Sequence, residues 1–226
     1  NLFPKIAVIT NINKEHMDFY KTYKNLKKFF LDFINNTLFD GVAIYCRDNL
    51  DLKRLMLKSK KKNKINYGLQ KDSDVRATNI LINENGSFFD INIKKTNLLK
   101  KEIIKKVQLN VLGKHNIQNS LAAVTVAKIL NISTFDLKNA FKNFKGVKRR
   151  FTLVCNFKGI KIIDDYAHHP EEIKATLNLT KILKPKKVIV IFQPHRFSRF
   201  KNLYLDFRKV LNNCDKLYVT DVYAAG

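Results

Sequence analysis

The feature that constrains this chain most is an alternation in its last third. Short apolar runs at 160–165, 187–192 and 216–220 are separated by stretches with helical spacing at 170–183 and 200–211. Strands joined through helices cannot turn straight back on themselves and must lie parallel, so the pattern predicts an α/β fold with a doubly wound parallel sheet. In such sheets ligands bind beyond the carboxyl ends of the strands, and the chemistry of this chain is therefore sought there.

The same alternation runs upstream. Residues 5–10 read as a buried strand, and 18–35 carry Phe19, Leu26, Phe29, Phe30 and Phe33 at helical spacing. A strand at 41–46, a helix at 50–59 and a strand near Ile65 follow. A hairpin pairs 75–82 with 87–93 around Glu84-Asn85-Gly86, and 103–111 is a further strand. Helices are expected at 116–130 and 135–144, the second opened by Ser133 as N-cap. Another strand, 151–157, joins 160–165 at Lys158-Gly159. A second unit begins around 146–151.

Composition excludes several classes. With 45% hydrophobic residues the chain can bury a core, and no apolar run approaches the roughly 18 residues of a membrane span. Cys46, Cys155 and Cys214 lie far apart without a C-x-x-C pair, so neither a disulfide framework nor a cysteine zinc site is expected and a reducing cytoplasm fits. The formal charge of +24 would suit nucleic acid. Its texture argues otherwise: lysines dominate the eight arginines and are scattered through every segment, without arginines interleaved among stacking aromatics. No nucleic-acid or membrane partner is expected. The densest basic run, KSKKKNK at 58–64, reads as a solvated loop.

Four segments carry chemistry. Asp164-Asp165-Tyr166-Ala167-His168-His169-Pro170 gathers two carboxylates and two imidazoles at a strand end, just before a helix. Phe192-Gln193-Pro194-His195-Arg196-Phe197-Ser198-Arg199 places Arg196 and Arg199 three apart at another strand end, a geometry for gripping carboxylate or phosphate. Gly113-Lys114-His115-Asn116, with Asn119, opens a helix where amides can read a base edge and N–H groups can face an anion. His16 and Asp18 follow the first strand, where a metal ligand and a solvent-exposed cap residue are equally consistent with the pattern.

Together these segments resemble the Mur ligase family. The resembling stretches are TNINKEHMDFY, YGLQKDSDVRA, GKHNIQNSLAA, GVKRRF, DDYAHHPEEI, FQPHRFSR and DVYAAG, in family order from end to end. The resemblance implies a central ATP-binding domain over 1–146, P-loop NTPase-like, followed by a Rossmann-like C-terminal domain over 147–226. It implies ATP-dependent joining of L-alanine to UDP-N-acetylmuramate through an acyl phosphate, with Mg2+ and cationic side chains neutralising the developing charge. The FQPHRFSR and EHMDFY segments resemble the alanine-adding branch. A branch that recycles a murein tripeptide shares G-x-H-N, KRR and AHHP, and a non-catalytic basic module that binds nucleic acid is the alternative from another class.

Carried over by position, His16 matches a magnesium-site histidine, and His115, Asn116 and Asn119 match the segment around adenine. Arg150 matches an arginine that reaches the nucleotide, and Asp165 belongs with it. His168 and Arg199 match residues that hold the muramate substrate near the reacting carboxylate, supported by His195 and Arg196. The sequence departs from the family: no G-x-x-x-x-G-K-[ST] run occurs in it, and by the resemblance the N-terminal UDP-binding domain, a magnesium-binding carboxylate just upstream of Asn1 and the final portion of the C-terminal domain are expected to be missing as well. The expectation is an internal fragment, inactive by itself and short of apolar cover, of a ligase that is a monomer or homodimer at full length.

Overall fold

A computed structural model of the chain describes residues 2–224, arranged as two compact units. The first unit comprises 1–81, 86–110 and 114–144, and the second 82–85, 111–113 and 145–226.

The N-terminal unit runs β1 (Ile6–Ile9), α1 (Met17–Tyr20), α2 (Tyr23–Asn35), β2 (Val42–Cys46), α3 (Leu50–Lys58), β3 (Lys64–Gly68), β4 (Val75–Asn83), β5 (Gly86–Ile93), β6 (Glu102–Leu109), α4 (Lys114–Ile129) and α5 (Thr134–Asn143). Among the described residues its strands form one sheet in the order β1-β2-β3-β4-β5-β6. β1, β2 and β3 pair in parallel, and β5 with β6 antiparallel. The apolar run Val-Ala-Ile-Tyr-Cys of β2 is the signature of a strand covered on both faces, and Ala43 and Ile44 are fully buried. Tyr67, Phe89, Ile91, Ile104, Ile117 and Leu121 complete this core.

Two local expectations change. The helix expected at 18–35 is broken: Lys21 takes a positive φ of 62°, and Thr22 opens α2 by accepting the Asn25 N–H at 3.1 Å. A local N-cap overrides continuous helical periodicity. The basic run is also less solvated than its composition implies. Lys61 is 8% exposed and donates to the carbonyls of Thr37, Leu38 and Phe39, while Lys64 donates to those of Met56 and Ser59. Lys61 thus meets carbonyls of the turn after α2, and Lys64 meets carbonyls at the C-terminal end of α3, where a cation is favoured.

The C-terminal unit runs β7 (Thr152–Phe157), β8 (Ile160–Asp164), α6 (Pro170–Ile182), β9 (Ile189–Phe192), α7 (Phe197–Asn202), α8 (Tyr204–Leu211) and β10 (Lys216–Val219). β9 and β10 pair in parallel through a helical crossover, as expected. β8 does not join them among the described residues. It pairs antiparallel with β7 through Lys158-Gly159, both at positive φ, so the full βαβαβ sheet of the sequence reading is corrected to one parallel pair and one hairpin. Two residues with positive φ suit a tight hairpin turn, and local pairing takes the hydrogen bonds that an apolar strand could have offered elsewhere. The helix expected at 200–211 begins earlier and is divided at Leu203 into α7 and α8. The core of this unit is Ile173, Leu177, Phe192, Phe207, Val210 and Leu211.

Candidate functional site

In the C-terminal unit the candidate residues gather beyond the ends of β8 and β9. Asp165 follows β8, and both its oxygens are engaged by backbone: Oδ2 accepts the Phe151 N–H at 2.9 Å and Oδ1 the Ala167 N–H at 2.8 Å. Asp165 thus fastens the Arg149-Arg150-Phe151 segment to the histidine loop. The Tyr166 N–H donates to the Arg149 carbonyl at 2.8 Å, and the Arg149 guanidinium lies 4.7 Å over the Tyr166 ring and 3.4 Å from Asp164. Arg149 and Phe151 both sit at positive φ, a cost of order 1–3 kcal/mol each that the surrounding links sustain.

The loop then enters α6 with His169 as N-cap and Pro170 in its first turn. Glu172 Oε2 accepts the N–H groups of His168 at 3.0 Å and His169 at 3.3 Å, and Oε1 meets the Arg150 guanidinium at 3.3 Å. Burial pushes the Glu172 carboxyl up, but the His168 N–H, the His168 ring and Arg150 outweigh it and hold it below the usual range. His168 Nδ1 lies 2.9 Å from the Tyr166 carbonyl. Because a carbonyl only accepts, Nδ1 carries the proton of that bond and Nε2 is the nitrogen left to face a ligand.

His195 completes the group. Its ring centroid is 5.7 Å from that of His168, 6.1 Å from Tyr166 and 5.1 Å from Tyr223. The strand end is fixed by the Arg196 N–H donating to the Tyr223 carbonyl and the Tyr223 N–H donating to the Pro194 carbonyl, both at 2.8 Å. Arg196 is the N-cap of α7 at φ 71°, and Arg199 donates to the His195 carbonyl at 3.3 Å. Burial, reinforced by His168, Arg199 and Arg196, holds His195 below its usual range and so uncharged at neutral pH. Its Nδ1 is buried without a hydrogen-bond partner among the described residues, a condition that a polar ligand would relieve.

The N-terminal unit carries its own set. His115, Asn116 and Asn119 lie in the first turns of α4, which starts two residues before the sequence places it. Ile117, Ser120 and Leu121 face the core, while His115 and Asn119 are exposed. This helix is bolted to the sheet by Asp48, just past β2, whose carboxylate accepts Gln118 Nε2 at 2.7 Å, the Leu69 N–H at 2.8 Å and the Gln70 N–H at 3.2 Å. Gly68 is needed there: a Cβ on it would stand 2.6 Å from the Asp48 carboxylate. His16 is the N-cap of α1 in left-handed geometry, exposed, and its side chain makes no capping bond.

The family model for the Mur ligase middle domain matches residues 1–127, and that for the Mur ligase glutamate ligase domain matches 149–225. The chain belongs to the Mur ligase family. It is 45% identical over 225 residues to the UDP-N-acetylmuramate–L-alanine ligase of Rickettsia bellii, covering 98% of this chain and 47% of that protein. The corresponding ligase of Rickettsia massiliae is 46% identical over the same length. The chain therefore spans about half the length of the curated Mur ligases it matches. Among solved structures, the UDP-N-acetylmuramate-alanine ligase MurC of Thermotoga maritima superposes with a TM-score of 0.74 at 26% identity, over 97% of this chain and 46% of that one. The Thermotoga maritima MurF ligase in complex with ADP shares the fold at 20% identity and the same TM-score. The Mur ligase middle and C-terminal domains expected from the sequence are thus present.

The fit to the family's ligands differs between them. An exposed amide, Asn119, beside the half-buried Asn116 on the first turns of a long helix suits a purine edge, and the imidazoles and guanidinium groups beyond β8 and β9 suit an anion. Magnesium finds no comparable set: no group of three or more His, Cys, Asp or Glu that could hold a metal occurs among the described residues, and His16 offers one nitrogen where Mg2+ prefers six oxygens. Ala225 and Gly226 of the DVYAAG motif lie outside the described residues. No helix is long and apolar enough to cross a membrane among the described residues.

Sequence reasoning missed Glu172, Arg149, Tyr223, Asp48 and Gln118. Two of them had a readable sign: Glu172 stands three residues after the N-cap His169, the spacing of a capping box, and Asp48 follows a buried strand by two residues.

Proposed function

We propose that this chain is the nucleotide- and muramate-holding part of an ATP-dependent ligase that joins L-alanine to the lactyl carboxylate of UDP-N-acetylmuramate, in the cytoplasmic synthesis of peptidoglycan precursors. The observation that carries the reading is the basic set beyond β8 and β9, where His168 and His195 stand ring to ring beside Arg199 within two family motifs. ATP, when bound, supplies the phosphoryl group that converts the carboxylate to an acyl phosphate. The alanine amine then forms the amide bond, and inorganic phosphate leaves with the electron pair of the broken carbon–oxygen bond.

In this reading Asn116, Asn119 and His115 orient the adenine, with α4 held in place by Asp48. Arg150 supplies a cation to the nucleotide and Asp165 holds the backbone that presents it. His168 and Arg199 grip the muramate carboxylate, with His195 and Arg196 beside them. Magnesium enters only as the companion of ATP, with His16 as its candidate contact from this chain.

The test uses the full-length ligase containing this sequence. ADP release that requires both UDP-N-acetylmuramate and free L-alanine is expected, with a murein tripeptide accepted poorly. Preference for the tripeptide would move the chain to the recycling branch, and steeply salt-dependent DNA binding without ligation would overturn the enzyme reading. The 226 residues alone are expected to release no ADP.

A further inference from the structure

We infer that Glu172 is a positioning residue that sets Arg150 and the His168 loop together, so that one carboxylate fixes both the cation offered to the nucleotide and the imidazole offered to the muramate carboxylate. This rests on the function proposed above.

The contacts exceed what helix capping requires. A capping box needs the N3 carboxylate to accept only the N–H of the N-cap residue, here His169 at 3.3 Å. Glu172 Oε2 also accepts the His168 N–H at the shorter distance of 3.0 Å and lies 3.6 Å from His168 Nδ1. Its other oxygen is spent on Arg150, 22 residues away in sequence. His168 is therefore held at two points: its N–H by Glu172, and its ring by the Tyr166 carbonyl at 2.9 Å. A ring fixed this way aims Nε2 in one direction, and a carboxylate that also tethers a guanidinium fixes the second group relative to the first. Glu171 is an internal control. It carries the same charge on the same first turn of α6, yet it is exposed and its side chain makes none of these contacts.

The full-length ligase is compared with its E172Q, E171Q, R150A and R150A/E172Q variants. Glutamine keeps a carbonyl oxygen for the two backbone N–H groups but cannot offer Arg150 a charge. E172Q is expected to stay folded with a melting temperature lowered by only a few degrees, while kcat/KM for ATP and for UDP-N-acetylmuramate falls about ten- to hundredfold with KM for L-alanine unchanged. E171Q is expected to match the unsubstituted enzyme. In kcat/KM for ATP the double variant is expected to be no worse than R150A alone, because Glu172 acts through Arg150 on the nucleotide, whereas in kcat/KM for UDP-N-acetylmuramate it is expected to fall further, because the His168 loop is released as well. An active parent with E172Q at full activity, or with losses in kcat/KM for ATP that simply multiply in the double variant, overturns this inference and leaves the ligase reading standing. A parent that does not ligate L-alanine overturns both.

Discussion

In the N-terminal unit β2 and β3 are buried almost throughout, whereas in the C-terminal unit every residue of β10 is exposed and Ile191 of β9 is 76% exposed. Both units obey the same α/β grammar, yet they hold their functional groups by different means. The N-terminal unit presents α4 from a closed apolar core and adds one polar bolt, Asp48. The C-terminal unit has a small core, and its functional loops are ordered by Asp165, Glu172 and Arg149, whose links are hydrogen bonds and ion pairs. Groups fixed by a core move only if the core is damaged. Groups fixed by part-buried polar links can be detuned one bond at a time.

The sharpest break with this comparison would come from amide hydrogen exchange on the chain. Amides of β2 and β3 are expected to exchange about a thousandfold more slowly than those of β7 and β10, and equal rates would erase the distinction. Next in size, Leu121→Ala, at a fully buried position, is expected to cost about 3–5 kcal/mol in urea unfolding, against less than about 0.5 kcal/mol for Ile191→Ala. Asp48→Ala is expected to cost about 2–3 kcal/mol, since Gln118 and two backbone N–H groups lose a charged acceptor, and to weaken ADP binding by the full-length protein in calorimetry. Gly159→Ala, at φ 81° in open space, is expected to cost about 1 kcal/mol, seen as faster exchange confined to the β7–β8 hairpin.

The smallest effect is in pH. Because the Glu172 carboxyl is held below its ordinary value of 4.5, the unfolded chain binds more protons than the folded one between the two values. Its contribution is fully present above pH 4.5 and is lost as pH falls through the lowered value. E172Q is therefore expected to have a shallower acid limb of stability, measured as urea midpoints from pH 6 to pH 3 (about the span of an ordinary carboxylate titration); an unchanged limb would mean that Glu172 does not order this unit.

Element types were largely legible because a strand covered on both faces, such as β2, needs an unbroken apolar run, and because Ser133 declares the start of α5 by its own side chain. The breaks at Lys21 and Leu203 were not legible, since apolar spacing continues across both. Nor was the fate of the basic run: composition reads charge, but only the carbonyls of the turn after α2 decide that Lys61 turns inward.

What the sequence determined by itself is the class of fold, the order of its elements, the motifs of the Mur ligase family and the strand ends where ionisable residues gather. These follow from period, local capping and residue identity, all of which act over a few positions. Only the tertiary structure decided that β8 stays apart from the β9–β10 pair among the described residues, that His168 meets His195 across 27 positions, and that Arg150, His168 and His169 share the carboxylate of Glu172. Those pairings depend on which distant segments are brought within hydrogen-bond reach, and a carboxylate reads the same in a sequence whether it caps one helix or ties two loops.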